Sequence, residues 1–214
     1  LIHQYRHVCL CQLFYYFMIF QDGVMKEEAG PKKRIVNKAV SLFYRQGVHM
    51  TGINQIIEEA GVAKASFYYH FKSKEDLVAE TVNSFGAIVK DKFTSIACRS
   101  TTPGEFIGGC VEAMQHDIRS NAFFGCPIAN IAFEYGSGAG GIHKMLKSVM
   151  NEVFLLLGNF FQNMKVKGHL RPEADVEMIA RGMLQLYEGA LTMWKMTGDR
   201  KYADDLEYMM KRLL

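Results

Sequence analysis

Between Thr51 and Lys74 two short helical patterns are separated by a single Gly-Val step, and this spacing restricts the fold more than any other feature of the chain. Thr51 suits an N-cap, because a hydroxyl there can accept a bond from an otherwise orphaned first-turn N–H. Ile53, Ile56, Ile57 and Ala60 then recur along one face, and Gly61 ends the run where a left-handed backbone is favoured. A second short helix is expected over Ala63–Phe71. Its Phe67 and Phe71 stand four apart, so they share one side and face inward. The run Phe67-Tyr68-Tyr69-His70 cannot all face inward on a helix. At least two of these side chains must meet solvent, which a plain core helix does not need.

The remaining punctuation is also helical. Pro31 opens a helix near its first position, where a missing N–H costs nothing, and Gly47 closes it. Ser73-Lys-Glu-Asp76 is a variant capping box, with Asp in place of Glu, that starts a long helix through about Ile96. Breaks at Thr101–Gly104 and Phe123–Pro127 bound a helix ending near Ser120, and Pro127 starts another to Glu134 or Tyr135. Gly136–Gly141 is a flexible turn, since no strand precedes it and no Gly-Lys-Ser/Thr follows. Helices are expected over Ile142–Lys167, Ala174–Thr197 and about Lys201–Leu213, with a turn at Gly168–Pro172. Only four prolines occur in 214 residues, and no stretch alternates as a strand would. The fold class is therefore all-α. A three-helix unit at 25–74 precedes a larger helical body at 75–214.

Charge is uneven along the chain. The net value is +3, yet Met25–Lys74 carries nine Lys/Arg against four Glu. A small basic unit beside a near-neutral body fits one module that touches phosphate joined to one that does not. The second short helix has the side chains for such a contact. Ala63, Lys64, Ala65 and Ser66 are short or cationic, so the backbone can sit deep in a major groove. Thr51, Tyr69, His70 and Lys74 supply hydroxyls and cations for phosphates.

The five cysteines are odd in number and lack paired zinc-ligand spacing. They read as reduced thiols of a cytosolic protein, with no metal or cofactor expected. A redox role for Cys126 stands as an alternative. Val8–Phe20 is apolar but shorter than the roughly 20 residues a membrane span needs. It also lacks a small-residue cleavage site. Residues 1–24 are read as non-native or upstream-translated sequence with Met25 as the true start. The alternative is a genuine apolar arm that associates with a membrane surface, the body or a partner subunit.

The run from Thr51 to Leu77, with its Phe67-Tyr-Tyr-His-Phe-Lys-Ser-Lys-Glu-Asp-Leu77 core, closely resembles the DNA-binding signature of the TetR family of transcriptional regulators. Thr51–Ile56 and Gly125–Asn130 look like the LmrA/YxaF-type subgroup, which includes repressors of drug-efflux genes. The resemblance implies a helix-turn-helix followed by a helical ligand-binding and dimerisation domain. By this resemblance Thr51 caps its helix and touches phosphate, while Lys64, Ala65 and Tyr68 approach base edges. Ser66 belongs to the same surface, and Tyr69, His70 and Lys74 hold the backbone. Ala65 departs from the pattern, in which glycine is frequent.

The resemblance further implies a homodimeric, cytoplasmic repressor, not an enzyme. Its partners would be a palindromic double-stranded operator and a small apolar or aromatic inducer, with no membrane. The body is compatible with this. Met114, Phe124, Cys126, Phe133, Met183, Tyr187 and Trp194 are candidates for a Met- and aromatic-rich pocket. His116, Glu134 and Glu188 are polar positions on apolar helices that a ligand would use for orientation. Met183, Leu184, Leu186, Leu191, Leu206, Met209, Met210 and Leu213 offer apolar surface for a four-helix dimer seam.

Overall fold

Pro31 and Gly47 bound α1 (Pro31–Gln46), as their chemistry requires: a residue without an N–H at the start, and one able to hold φ +88 at the end. A computed structural model describes residues 30–120, 122–136 and 140–214, and the described residues are helices and turns without a strand. Residues 1–24, with Cys9 and Cys11, lie outside the described residues, as does part of the Gly136–Gly141 turn. The order continues α2 (Ile53–Ala60), α3 (Lys64–His70), α4 (Lys74–Arg99), α5 (Pro103–Arg119) and α6 (Pro127–Tyr135). Then follow α7 (Gly141–Val166), α8 (Val176–Thr197), α9 (Lys201–Asp204) and α10 (Leu206–Lys211). The last two occupy a stretch expected as one helix, which is interrupted at Asp205.

The chain divides into two compact units. One comprises the described residues up to Ile88 with Asn130–Lys147, and the other Val89–Ala129 with Ser148–Leu214. Helices α4, α6 and α7 each begin in one unit and end in the other.

In the first unit, apolar side chains from α1, α2, α3 and the start of α4 make one core: Ile35, Val40, Phe43, Ile56, Phe67, Leu77 and Val82 are all buried. Gly61 adopts φ +60 between α2 and α3, and its N–H bonds back to Glu58 and Ile57 carbonyls. A left-handed residue at this point costs a glycine nothing, which is why the two helices can be so tightly joined. Half of the capping box expected at α4 forms: Asp76 N–H donates to Ser73 Oγ at 3.1 Å, while the Asp76 carboxylate accepts from Lys72 N–H at 3.0 Å, one residue before the cap.

In the second unit, Phe106 packs on Phe160 and Phe161, with ring centroids 4.3 and 5.9 Å apart. Gly109 lets α4 and α5 approach closely, since a Cβ there would lie 2.8 Å from Ile96 Cγ2. Thr102 Oγ1 accepts from Glu105 N–H and caps α5, and Asp175 does the same for α8 from Glu177 and Met178.

Phe67 has no exposed surface and is the largest side chain holding α3 in place. Phe67→Ala should lower stability by about 3–5 kcal/mol. Urea denaturation followed by helical circular dichroism checks this, and an unchanged midpoint would contradict the packing described.

Candidate functional site

With Phe67 and Phe71 buried, α3 turns its other residues outward. Lys64, Ala65, Tyr68 and Tyr69 are exposed, Tyr69 to 84%, while Ser66, His70 and Lys74 are half-buried. Tyr69 and His70 rings meet edge-on at 4.9 Å, which orders the end of the helix without hiding the phenol. The short residues stand at the N-terminal end of α3 and the hydroxyl and imidazole groups toward its C-terminal end. Such a helix can enter a major groove at one end and grip the flanking backbone at the other.

Thr51 departs from expectation. The N-cap of α2 is Gly52, with no side-chain cap bond, and Thr51 is fully buried. A threonine hydroxyl donates as well as accepts. Here Thr51 Oγ1 donates to the Gly47 carbonyl at 2.6 Å and accepts from Gln46 Nε2 at 3.2 Å. The residue thus braces the turn before α2 and presents no hydroxyl to a phosphate. Gln46, which the sequence alone does not single out, also reaches the Met50 carbonyl and the Gln55 side chain.

Glu134 is the second surprise. Its carboxylate accepts from Val48 N–H at 2.9 Å and His49 N–H at 2.7 Å, and lies 3.0 Å from His49 Nδ1. It therefore holds the α1–α2 turn and is not a free polar group awaiting a ligand. Partial burial works against its charge, but the bonds from His49 and Val48 outweigh that and hold the carboxyl below the ordinary range. No nearby sequence signal marks it, because its partners lie 85 and 86 residues away.

Six of the seven pocket candidates belong to the second unit. Met114, Met183, Tyr187 and Cys126 are buried, while Phe124 and Trp194 are half-buried. Trp194 stacks on Phe123 at 5.4 Å and Tyr187 meets Phe93 edge-on at 5.5 Å. Phe133 is the exception: it belongs to the first unit and is 72% exposed, on the outward side of α6. Of the polar groups among these side chains, sequence alone singled out Glu188 but missed Lys92 and Asp117. Lys92 pairs with the buried Asp117. Burial works against the Lys92 charge, but the Tyr187 oxygen and the Asp117 carboxylate outweigh it and raise its pKa. Glu188 is raised by burial, and one of its carboxyl oxygens is buried without a hydrogen-bond partner among the described residues. Burial pushes the Cys110 thiol up to about 12, and the Cys126 thiol higher still. Neither is poised as a thiolate, which counts against the redox alternative. Of the described cysteines, Cys98 alone is exposed. No described helix is long and apolar enough to cross a membrane.

A helix-turn-helix with an exposed, cation-bearing second helix, joined to an all-α body, is the architecture of a DNA-binding transcriptional regulator. Residues 35–81 match the tetR family of bacterial regulatory proteins, and residues 106–210 match the tetracyclin repressor-like C-terminal domain. The HTH-type transcriptional regulator YxaF of Bacillus subtilis is 32% identical over 133 residues, 61% of this chain and 67% of that protein. The HTH-type transcriptional regulator LmrA of the same organism is 40% identical over 77 residues, 36% of this chain and 41% of LmrA. That match thus spans less than half of LmrA. In fold, the chain is similar to TetR-family regulators from Cytophaga hutchinsonii and Streptomyces coelicolor. Their TM-scores are 0.77 and 0.74 at 23% and 20% identity, covering 85% and 86% of this chain and 92% and 93% of those. The chain belongs to the TetR family: it is a transcriptional regulator with a DNA-binding helix-turn-helix, not an enzyme.

Asp117 keeps only 6% of its side chain exposed and Lys92 24%, so removing one charge strands the other. Lys92→Met should cost on the order of 3 kcal/mol, and adding Asp117→Leu should recover most of it. Paired urea titrations test this; a single variant as stable as the parent would refute the coupling.

Proposed function

We propose that the chain is a homodimeric repressor that grips a palindromic operator through α3 and is released by a small apolar or aromatic inducer bound in the second unit. The observation that carries this reading is the outward face of α3, where Lys64, Ala65, Tyr68 and Tyr69 lie exposed above the buried Phe67 and Phe71. Lys64, Ala65, Ser66 and Tyr68 approach base edges, and Tyr69, His70 and Lys74 hold phosphates. Thr51 supports this surface from beneath and does not touch DNA.

One such helix makes too few contacts for tight binding, so two copies must act together. Apolar side chains left exposed on α7 and α8, Leu155, Val166, Met178 and Met196, support those helices as the seam between subunits. Of the earlier candidates, Met183, Leu191, Leu206 and Met210 are buried within the chain itself and are not available for it. The inducer pocket is formed by Met114, Phe124, Cys126, Met183, Tyr187 and Trp194, with the unsatisfied Glu188 oxygen as its polar anchor. Phe133 has no part in it. The regulator works in the cytoplasm, where DNA and inducer meet.

Selection of bound duplexes from a random pool should yield an inverted repeat with half-site centres about 34–36 Å apart. A consensus without two-fold symmetry would exclude the dimeric reading. On the selected duplex, Tyr69→Phe and Lys74→Ala should each weaken binding on all sequences, and the lysine change should also reduce the salt slope by about one. Full affinity in both variants would defeat the contact assignment. For the inducer, Trp194 is the single tryptophan, and its fluorescence reports on the pocket. Compounds from an aromatic panel that change this fluorescence should release the duplex over the same concentration range. Fluorescence changes that leave DNA binding intact would remove the sensing half of the proposal.

A further inference from the structure

The DNA-binding signature ends near the start of α4, yet one of the groups that shape it lies far outside. The α1–α2 turn needs partners for its backbone donors. Gly47 N–H bonds to the Phe43 carbonyl and Thr51 N–H to the Val48 carbonyl. Val48 and His49 donate instead to the two carboxylate oxygens of Glu134, in the last turn of α6. Val48 is buried, so its N–H would otherwise be a donor cut off from water, which folded proteins rarely tolerate. A carboxylate in a last helical turn also faces the negative end of the helix dipole. Its position is unfavourable for α6 and is offset by what it holds.

The shape of the turn fits the same contact. A Cβ on Gly47 would lie 2.9 and 3.2 Å from the Glu134 oxygens, at a residue that also has φ +88. The turn is thus built to admit the carboxylate. From there the connection runs forward in short steps. The Gly47 carbonyl accepts the Thr51 hydroxyl, Thr51 immediately precedes the N-cap of α2, and α2 is tied to α3 by Gly61. Tyr135 packs against the His49 ring at 5.9 Å, so the end of α6 flanks the turn with both residues.

We infer that Glu134 is a positioning residue for DNA binding: by holding Val48 and His49 it sets the placement of α2 and α3 against the groove. This rests on the DNA-binding reading above.

The experiment uses the full chain and two duplexes, the selected site and a scrambled one of equal composition. Glu134→Ala should speed hydrogen exchange at the Val48 and His49 amides by on the order of tenfold or more. It should lower the ratio of selected to scrambled affinity by a similar factor. Partial unfolding alone would weaken both duplexes equally and leave that ratio unchanged. Glu134→Gln, which keeps shape and one acceptor, should fall between parent and alanine variant and guards against a misfolded alanine protein. His49→Ala removes the imidazole's contacts with Glu134 and Tyr135 but keeps both amide bonds, and should change the ratio little. The inference is overturned if exchange at the two amides stays at the parent rate, or if exchange rises while the affinity ratio holds. Failure of the DNA-binding reading itself shows differently: the unsubstituted chain would then select no duplex.

Acid supplies a second check. The bonds to Glu134 hold its carboxyl below the ordinary range, so the protection they give is full above that range and is lost as pH falls through the lowered value. The charged or titratable groups around it are His49, Tyr135 and, facing Tyr135, Glu75 of α4. Acid loss of amide protection should be present in the parent and absent in Glu134→Gln. The same acid profile in both would contradict the role of the carboxylate.

Discussion

A helix of seven residues has no stability of its own in water, because nucleation is not repaid over so short a run. Everything α3 presents to solvent therefore depends on Phe67 and Phe71, which fasten it to α1, α2 and the start of α4. The four-residue spacing puts both rings on one side, and the geometry of a helix then forces Tyr68 and Tyr69 to the other. The exposure of two tyrosines, costly on an ordinary surface, follows from the burial of two phenylalanines. Core packing and recognition are two faces of one short segment, so neither can be changed without the other.

That coupling explains why this part of the protein was legible in the sequence. Periodicity and glycine punctuation are local, and the Phe67/Phe71 pair, Gly61 and the Ser73–Asp76 capping box all act within four residues of their partners. Thr51 shows where local reasoning fails. A threonine before a helix can cap it, or it can donate to a carbonyl upstream; the choice between Thr51 and Gly52 as N-cap was settled by the Gly47 carbonyl and the Gln46 amide, which offer the hydroxyl better partners. Phe133 failed for a different reason. The stretch Pro127–Tyr135 is apolar on most sides, so its pattern does not say which side faces inward. Glu134 and Lys92 were illegible because their partners are distant in sequence. Lys92 in particular sits beside Lys90 and Asp91, in what looks like an ordinary solvated stripe.

The two units differ in how they treat polar groups. In the first, the buried hydroxyls of Thr51 and Thr81 are satisfied by carbonyls within four residues, at 2.6 and 2.8 Å. Such groups add little long-range demand, and the surrounding core is aliphatic and aromatic. In the second, Lys92 of α4, Asp117 of α5, Tyr187 and Glu188 of α8 and Cys126 before α6 come together, and one Glu188 oxygen has no hydrogen-bond partner among the described residues. A low-dielectric interior makes each of these groups expensive unless its partners are well placed.

That contrast matches a division of labour. A surface that must meet DNA in one geometry gains from a core with a single low-energy packing, and apolar side chains with local hydroxyl bonds give that. On the proposed reading, an interior that registers a small molecule gains from groups whose partners can be exchanged. Among the described residues, buried side-chain atoms without a hydrogen-bond partner occur in both units, at Arg34 Nε in the first and at one Glu188 oxygen in the second. Three helices run unbroken from one unit into the other. Of these, α6 has the Cys126–Glu188 contact beside its start and the Glu134 carboxylate, bound to Val48 and His49, in its last turn. A nine-residue helix is stiff over that length. The Glu134 carboxylate thus ties the last turn of α6 to the turn before the helix-turn-helix at Val48 and His49.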